Sequence, residues 1–114
     1  MAADNLIGSG YKGVWLVAMF DLPVTDVVAR RRYTQFRNLL LKFGFEMLQF
    51  SVYARYYPSE EASETHRKNI GKGLPPSGQV RLLLITDKQF GKMQVFCGKK
   101  AQPAEEAPEQ ILLF

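Results

Sequence analysis

Seven apolar residues in succession, Val14 to Phe20, run straight into Asp21-Leu22-Pro23. A half-buried strand alternates apolar with polar side chains, whereas an uninterrupted apolar run bounded by turn residues reads as a strand covered on both faces. A chain built on such a strand needs a sheet around it. Asp21 then stands where the strand leaves the core, and a carboxylate there is solvated, paired, or holding a cation.

The size of that core is bounded: 114 residues, 46% of them apolar, support one small domain and leave nothing to build a second. The formal charge of +4 hides an asymmetry, because residues 1–100 hold all 15 Lys/Arg against 8 Asp/Glu, a net of +7, while 101–114 carry only Glu105, Glu106 and Glu109. A compact basic domain favours a polyanionic partner, and nucleic acid comes ahead of an acidic membrane because no strongly amphipathic basic helix with a Trp/Leu/Phe face is present. Ordinary solubility charge is the alternative. Cys97 is the single cysteine, which excludes an internal disulfide and fits a reducing, cytoplasmic setting. No apolar stretch approaches a transmembrane length. Residues 1–13 lack the basic start and apolar region of a signal peptide and read as a flexible leader.

After Pro23 the period changes. Ala29, Tyr33, Phe36, Leu40 and Phe43 recur at three- and four-residue spacing with Leu39 beside them, which predicts an amphipathic helix over 25–43. Thr25 or Asp26 caps its start, and Gly44 follows its last turn. Its other side is basic, with Arg30, Arg31, Arg32, Arg37 and Lys42. Asp26 is the only carboxylate within about a turn, so the three consecutive arginines read as phosphate binders, a solvated face being the alternative.

Residues 47–57 alternate as a strand does, Leu48, Phe50, Val52, Ala54 and Tyr56 on one face and Gln49, Ser51, Tyr53, Arg55 and Tyr57 on the other. The second face is of the kind interfaces use. Ser59-Glu60-Glu61 opens a second helix running to about Asn69, with a thin apolar face of Ala62, His66 and Ile70. His66 is the only histidine and lacks a second ligand at metal spacing, so it reads as packing or solvent-facing. Residues 71–78 form a loop, Val80–Ile85 repeats the apolar pattern of the first strand, and Met93–Cys97 is a short strand. A polar linker, 98–109, leads to Ile111, Leu112, Leu113 and Phe114. Four terminal apolar residues are expected to dock on this sheet's edge or on a second copy.

This order of strands and helices points to a ferredoxin-like α+β fold, βαββαβ, with two helices on one face of a four-stranded antiparallel sheet spanning 14–97. In that assignment the first and third strands are parallel neighbours, and Asp21 and Asp87 emerge at the same edge. Tyr53, Arg55 and Tyr57 fall on the uncovered face. A homodimer would cover it, with 98–114 carrying Ile111–Phe114 across as an exchanged strand.

The residues alone give thin catalytic evidence: no nucleophile with a base, no metal-ligand cluster. A lone carboxylate binds magnesium poorly, but a symmetric dimer places two Asp21 side chains near one axis. Capping of the following turn is the alternative role for Asp21. The Asp21-Leu22-Pro23 strand end, the basic helix closing on Gly44-Phe45, and above all Gln49-Phe50-Ser51-Val52-Tyr53-Ala54-Arg55 resemble the small CRISPR-associated protein Cas2 family over residues 14–97. The stretch Ala29-Arg30-Arg31-Arg32-Tyr33 is most similar to members from systems with a single large RNA-guided effector. The resemblance implies a ferredoxin-like homodimer, with Asp21 assigned to magnesium and to phosphodiester cleavage of RNA or DNA. It also implies association with the CRISPR integrase, the dimer bridging it around duplex DNA during spacer acquisition. Two functions follow: a magnesium-dependent endonuclease centred on Asp21, or a scaffold holding duplex DNA through Arg30, Arg31, Arg32, Arg37 and Lys42 with Asp21 structural; the scaffold is the favoured biological role, because one aspartate per subunit is sparse equipment for hydrolysis whereas the basic helix is well supplied. A small RNA-binding module is a third, but the paired aromatic motif such modules use is missing.

Overall fold

The computed structural model of the chain describes residues 13–98 and 100–105. The apolar run forms β1 (Val14–Asp21), the inner strand to which everything else is fitted: Trp15, Leu16, Val17, Ala18 and Phe20 are buried. Helix α1 (Val27–Lys42) follows, capped by Asp26, whose side chain accepts a hydrogen bond from the Ala29 N–H at 2.8 Å. Gly44, at φ +84°, turns the chain out of the helix in a conformation an L side chain resists. Then come β2 (Glu46–Gln49), β3 (Val52–Tyr57), a 3-10 turn (Glu61–Ser63), α2 (Glu64–Lys72), β4 (Gln79–Thr86), a short α3 (Asp87–Gly91), and a hairpin of β5 (Val95–Cys97) and β6 (Lys100–Gln102).

The main sheet has the order β2-β3-β1-β4, and each neighbouring pair is antiparallel. Phe36 and Leu40 of α1 and Ile70 of α2 pack on Leu16, Ala18, Phe20, Tyr53 and Tyr57, so both helices lie on one face. This is the ferredoxin-like α+β arrangement. On the opposite face Phe90 of α3 stacks on Trp15, ring centroids 4.0 Å apart, and Asp87 Oδ1 accepts the Trp15 indole N–H at 2.8 Å. That cover protects only the Val14 end of β1.

Several expectations need correction. Residues 47–57 are a hairpin, not one strand: Phe50 and Ser51 form a two-residue loop between the paired Gln49 and Val52, and Ser51 takes φ +65°. The alternation carries the eye straight through the loop because neither residue is a glycine, asparagine or proline. Splitting that segment supplies the fourth strand, so residues 95–97 pair with 100–102 in a separate sheet within the expected linker. The strand beside β1 on its other side is antiparallel, with Val14 opposite Thr86 and Asp21 opposite Gln79, which puts Asp87 at the end of β1 remote from Asp21. Tyr53 and Tyr57 lie under the helices, not on an open face; Tyr53 is only 3% exposed. Arg55 shares their side of β3, half-buried, and is committed to internal partners. β4 is an edge of the described sheet, and Leu82 and Leu83 are exposed on it. In the second helical segment Ser63 and Ile70 are buried while Ala62 is exposed. Ile111, Leu112, Leu113 and Phe114 lie outside the described residues.

Candidate nuclease site at the end of the first strand

Side chains alternate along β1, so Asp21 shares the helix-free face with Trp15, Val17 and Met19. The antiparallel register sets Gln79 directly across from Asp21 and Arg81 across from Met19, one step along the same face. The Asp21 carboxylate is exposed and lines an open cleft of about 280 Å3 with Met19, Phe50, Ser51, Gln79 and Arg81. Two backbone contacts hold the strand end. The Phe20 N–H donates to the Ser51 carbonyl at 3.0 Å, and Gly78, at φ +92°, packs so closely that a Cβ there would sit 2.6 Å from the Asp21 carbonyl oxygen. Only glycine lets the loop before β4 cross the end of β1 there. The cap of α1 comes from Asp26.

Ser51 braces the cleft from the hairpin side. Its Oγ lies 3.0 Å from the Tyr33 hydroxyl of α1, and the Phe50 ring lies against the Tyr33 ring, centroids 5.8 Å apart at 18°. Phe50 itself is 75% exposed.

The five basic residues expected on α1 are all exposed, but they do not form one patch. Arg30 and Arg37 stand three residues before and four after Tyr33 and share its flank. Arg37 is close enough to Tyr53 to oppose the rise that burial imposes on that phenol's pKa. Arg31 and Lys42, three turns apart, point away from the core. Arg32 lies on the other flank, in a separate cleft with Pro75 and Ser77. Arg55 is no part of this surface. Its guanidinium donates to the Phe43 carbonyl at the end of α1 at 2.7 Å, approaches His66 Nδ1 at 3.1 Å, and lies 4.6 Å over the Tyr57 ring.

His66 is a packing residue with specific partners. It stacks on Phe43 at 4.4 Å, and its Nδ1 lies 2.6 Å from the Tyr57 hydroxyl. Arg55 has only donors, so Nδ1 accepts and the ring proton sits on Nε2. Burial, reinforced by the Arg55 charge, pushes the His66 pKa down.

Sequence reasoning found Asp21 but missed Phe50, Ser51, Gln79 and Arg81. Arg81 did leave a signal, as the one charge inside Val80–Ile85. Among the described residues no three His, Cys, Asp or Glu side chains gather to hold a metal. Asp21 with the Gln79 amide fits a hydrated magnesium ion, which keeps several waters and uses one or two carboxylates, and does not fit a closed protein cage. An exposed carboxylate beside an arginine suits a phosphodiester: the guanidinium grips phosphate oxygens and the carboxylate recruits a cation. No helix among the described residues is long and apolar enough to cross a membrane.

The family model of CRISPR associated protein Cas2 matches residues 14–93. Three relatives, each named CRISPR-associated endoribonuclease Cas2, align over most of their length. The one from Parvibaculum lavamentivorans is 48% identical over 89% of this chain and 100% of its own. Those from Paracidovorax avenae and Flavobacterium psychrophilum are 43% and 41% identical, over 93% and 91% of this chain and 98% and 90% of theirs.

Proposed function

The chain belongs to the CRISPR-associated Cas2 family, and on that premise we propose that it is an endonuclease that hydrolyses phosphodiester bonds in RNA, the activity its relatives are named for, with Asp21 as the catalytic carboxylate. The observation that carries the reading is the exposure of Asp21 in an open cleft at the end of a rigid central strand, with Arg81 beside it. The strand end is held by the bond from the Phe20 N–H to the Ser51 carbonyl and by the close approach of Gly78 to the Asp21 carbonyl, which leaves the Asp21 side chain free for substrate. Arg81 grips a non-bridging phosphate oxygen and orients the strand. Asp21, with the Gln79 amide across from it, would hold a hydrated magnesium ion, which would supply charge neutralisation at the scissile phosphate and a more acidic water.

The working unit is a homodimer. Met19 and Val52, half-buried, and the exposed Leu83 leave the helix-free face apolar beyond the cover of Phe90, and a second copy seated there buries them and adds the partner's Asp21 to the donor set. Ile111–Phe114 complete the partner's sheet by adding to the β4 edge, where Leu82 and Leu83 are exposed.

A second reading, a scaffold for duplex DNA alongside the CRISPR integrase during spacer acquisition, is favoured by one feature: Arg31 and Lys42 face outward, far from the Asp21 cleft. Wild type and Asp21→Ala separate the two readings in paired assays of RNA cleavage and of spacer integration with the cognate integrase. Loss of cleavage with integration intact assigns Asp21 to chemistry alone. Cleavage that survives the substitution refutes the nuclease assignment.

A further inference from the structure

Phe50 is the most exposed large apolar side chain of the described residues, and it is not loose. The hairpin loop that presents it holds Ser51 at φ +65°, a conformation a non-glycine residue adopts only when its surroundings impose it. Here they do. Ser51 is tied to the Phe20 N–H through its carbonyl and to the Tyr33 hydroxyl through Oγ, and the Tyr33 ring backs one face of the Phe50 ring. The other face is open to solvent. On the flank of α1 that carries Tyr33 stand Arg30 and Arg37, one on either side, and Phe50 lines the same cleft as Asp21 and Arg81. An exposed aromatic ring held by its loop, in one cleft with an arginine and a carboxylate, is a combination that receives a nucleotide: the base stacks on the ring and a neighbouring phosphate meets the Arg81 guanidinium.

We propose that Phe50, backed by Tyr33, is a base-stacking platform that seats one unpaired nucleobase beside Asp21. A paired base keeps its faces stacked on its neighbours and cannot offer one to Phe50, whereas an unpaired base can. The platform rests on the nuclease reading for its purpose but not for its existence, since it is a binding property.

The test is binding without metal. A short single-stranded RNA carrying 2-aminopurine is titrated in EDTA with the full chain, followed by fluorescence anisotropy and by quenching of the 2-aminopurine, which reports stacking directly. Wild type is expected to bind and quench. Phe50→Ala is expected to bind about tenfold more weakly with the quenching lost, Phe50→Trp to keep both, and binding to duplex RNA to be the same in all three. Asp21→Ala, which removes a negative charge facing the phosphates, is expected to bind no more weakly and still to quench while failing to cleave when magnesium is added, so failure of the nuclease reading shows in cleavage and failure of the platform shows in quenching. The proposal is overturned if wild type does not bind or quench, if Phe50→Ala quenches like wild type, or if it loses single-stranded and duplex binding equally. It is also overturned if Phe50→Ala alters the sedimentation coefficient, which would assign the ring to a contact between copies.

Discussion

Ser51 occupies a left-handed position that costs a non-glycine residue about 1–3 kcal/mol, and its hydroxyl returns part of that through Tyr33. The two effects are separable. Ser51→Ala keeps the strained backbone and loses the bond, and should lower stability by about 1 kcal/mol; Ser51→Gly loses the bond but relieves the backbone, and should fall within about 1 kcal/mol of wild type. Urea denaturation of the two variants checks the ordering, and Ser51→Gly proving the less stable would contradict it. His66 makes a second prediction. Its pKa lies below the ordinary 6.5 in the folded chain, so the unfolded chain binds the proton more readily, and the stability the neutral ring provides is present above pH 6.5 and lost as pH falls below it. Protonation would put a hydrogen on Nδ1 facing the Arg55 guanidinium. His66→Gln offers Arg55 and Tyr57 an acceptor that does not titrate, and should flatten the stability profile between pH 7 and the range where carboxylates begin to protonate; the urea midpoint measured across that range decides it.

Among the elements, β1 and α1 were legible in the sequence because each satisfies one strong rule throughout: continuous apolar residues for a strand buried on both faces, and three- and four-residue recurrence for the helix. The β2–β3 hairpin was not legible. Its loop carries no glycine, asparagine or proline, and the interaction that allows Ser51 to stand in for glycine comes from Tyr33, 18 residues away. Missing that turn left the sheet one strand short, so residues 93–97 were read as its fourth strand, whereas 95–97 pair with 100–102 instead. The candidate site was half legible for the same reason. Asp21 ends a strand recognisable by itself, whereas Arg81 and Phe50 join it only through the β1–β4 register and the hairpin. Two predictions belong to elements. In Gly78→Ala the new Cβ meets the Asp21 carbonyl oxygen at 2.6 Å, so this variant should lose at least about 1 kcal/mol of stability and most of its cleavage activity with the Asp21 carboxylate untouched; wild-type cleavage would show that the loop does not set the strand end. Along α1, removing Arg30 and Arg37 together should weaken single-stranded binding and lower its salt slope by up to about 1.4, while removing Arg31 and Lys42 should act mainly on duplex binding. Salt titrations with both ligands test that division, and equal effects of the two pairs on both ligands would erase it.

Among the described residues the sheet has one face closed by α1 and α2 and the other closed only near Trp15, where α3 contributes Phe90. Asp21 lies at the open end of that second face. This asymmetry ties the nuclease reading to assembly, because a second copy covering the open face is also what would bring the partner's Asp21 near. Deleting residues 110–114 removes the segment proposed to pair with the partner's β4 edge, and should shift the monomer–dimer equilibrium toward monomer in sedimentation velocity; an unchanged dimer would rule out the exchanged strand. The proposed cleavage depends on the Asp21 charge. The most direct test is cleavage of a labelled single-stranded RNA by wild type and by Asp21→Asn, which keeps the shape of the side chain and removes its charge, each with magnesium and with EDTA. Wild type should cleave with magnesium alone, and Asp21→Asn should be slower by roughly a hundredfold or more with its circular dichroism and sedimentation unchanged; Asp21→Asn cleaving at the wild-type rate would contradict the account.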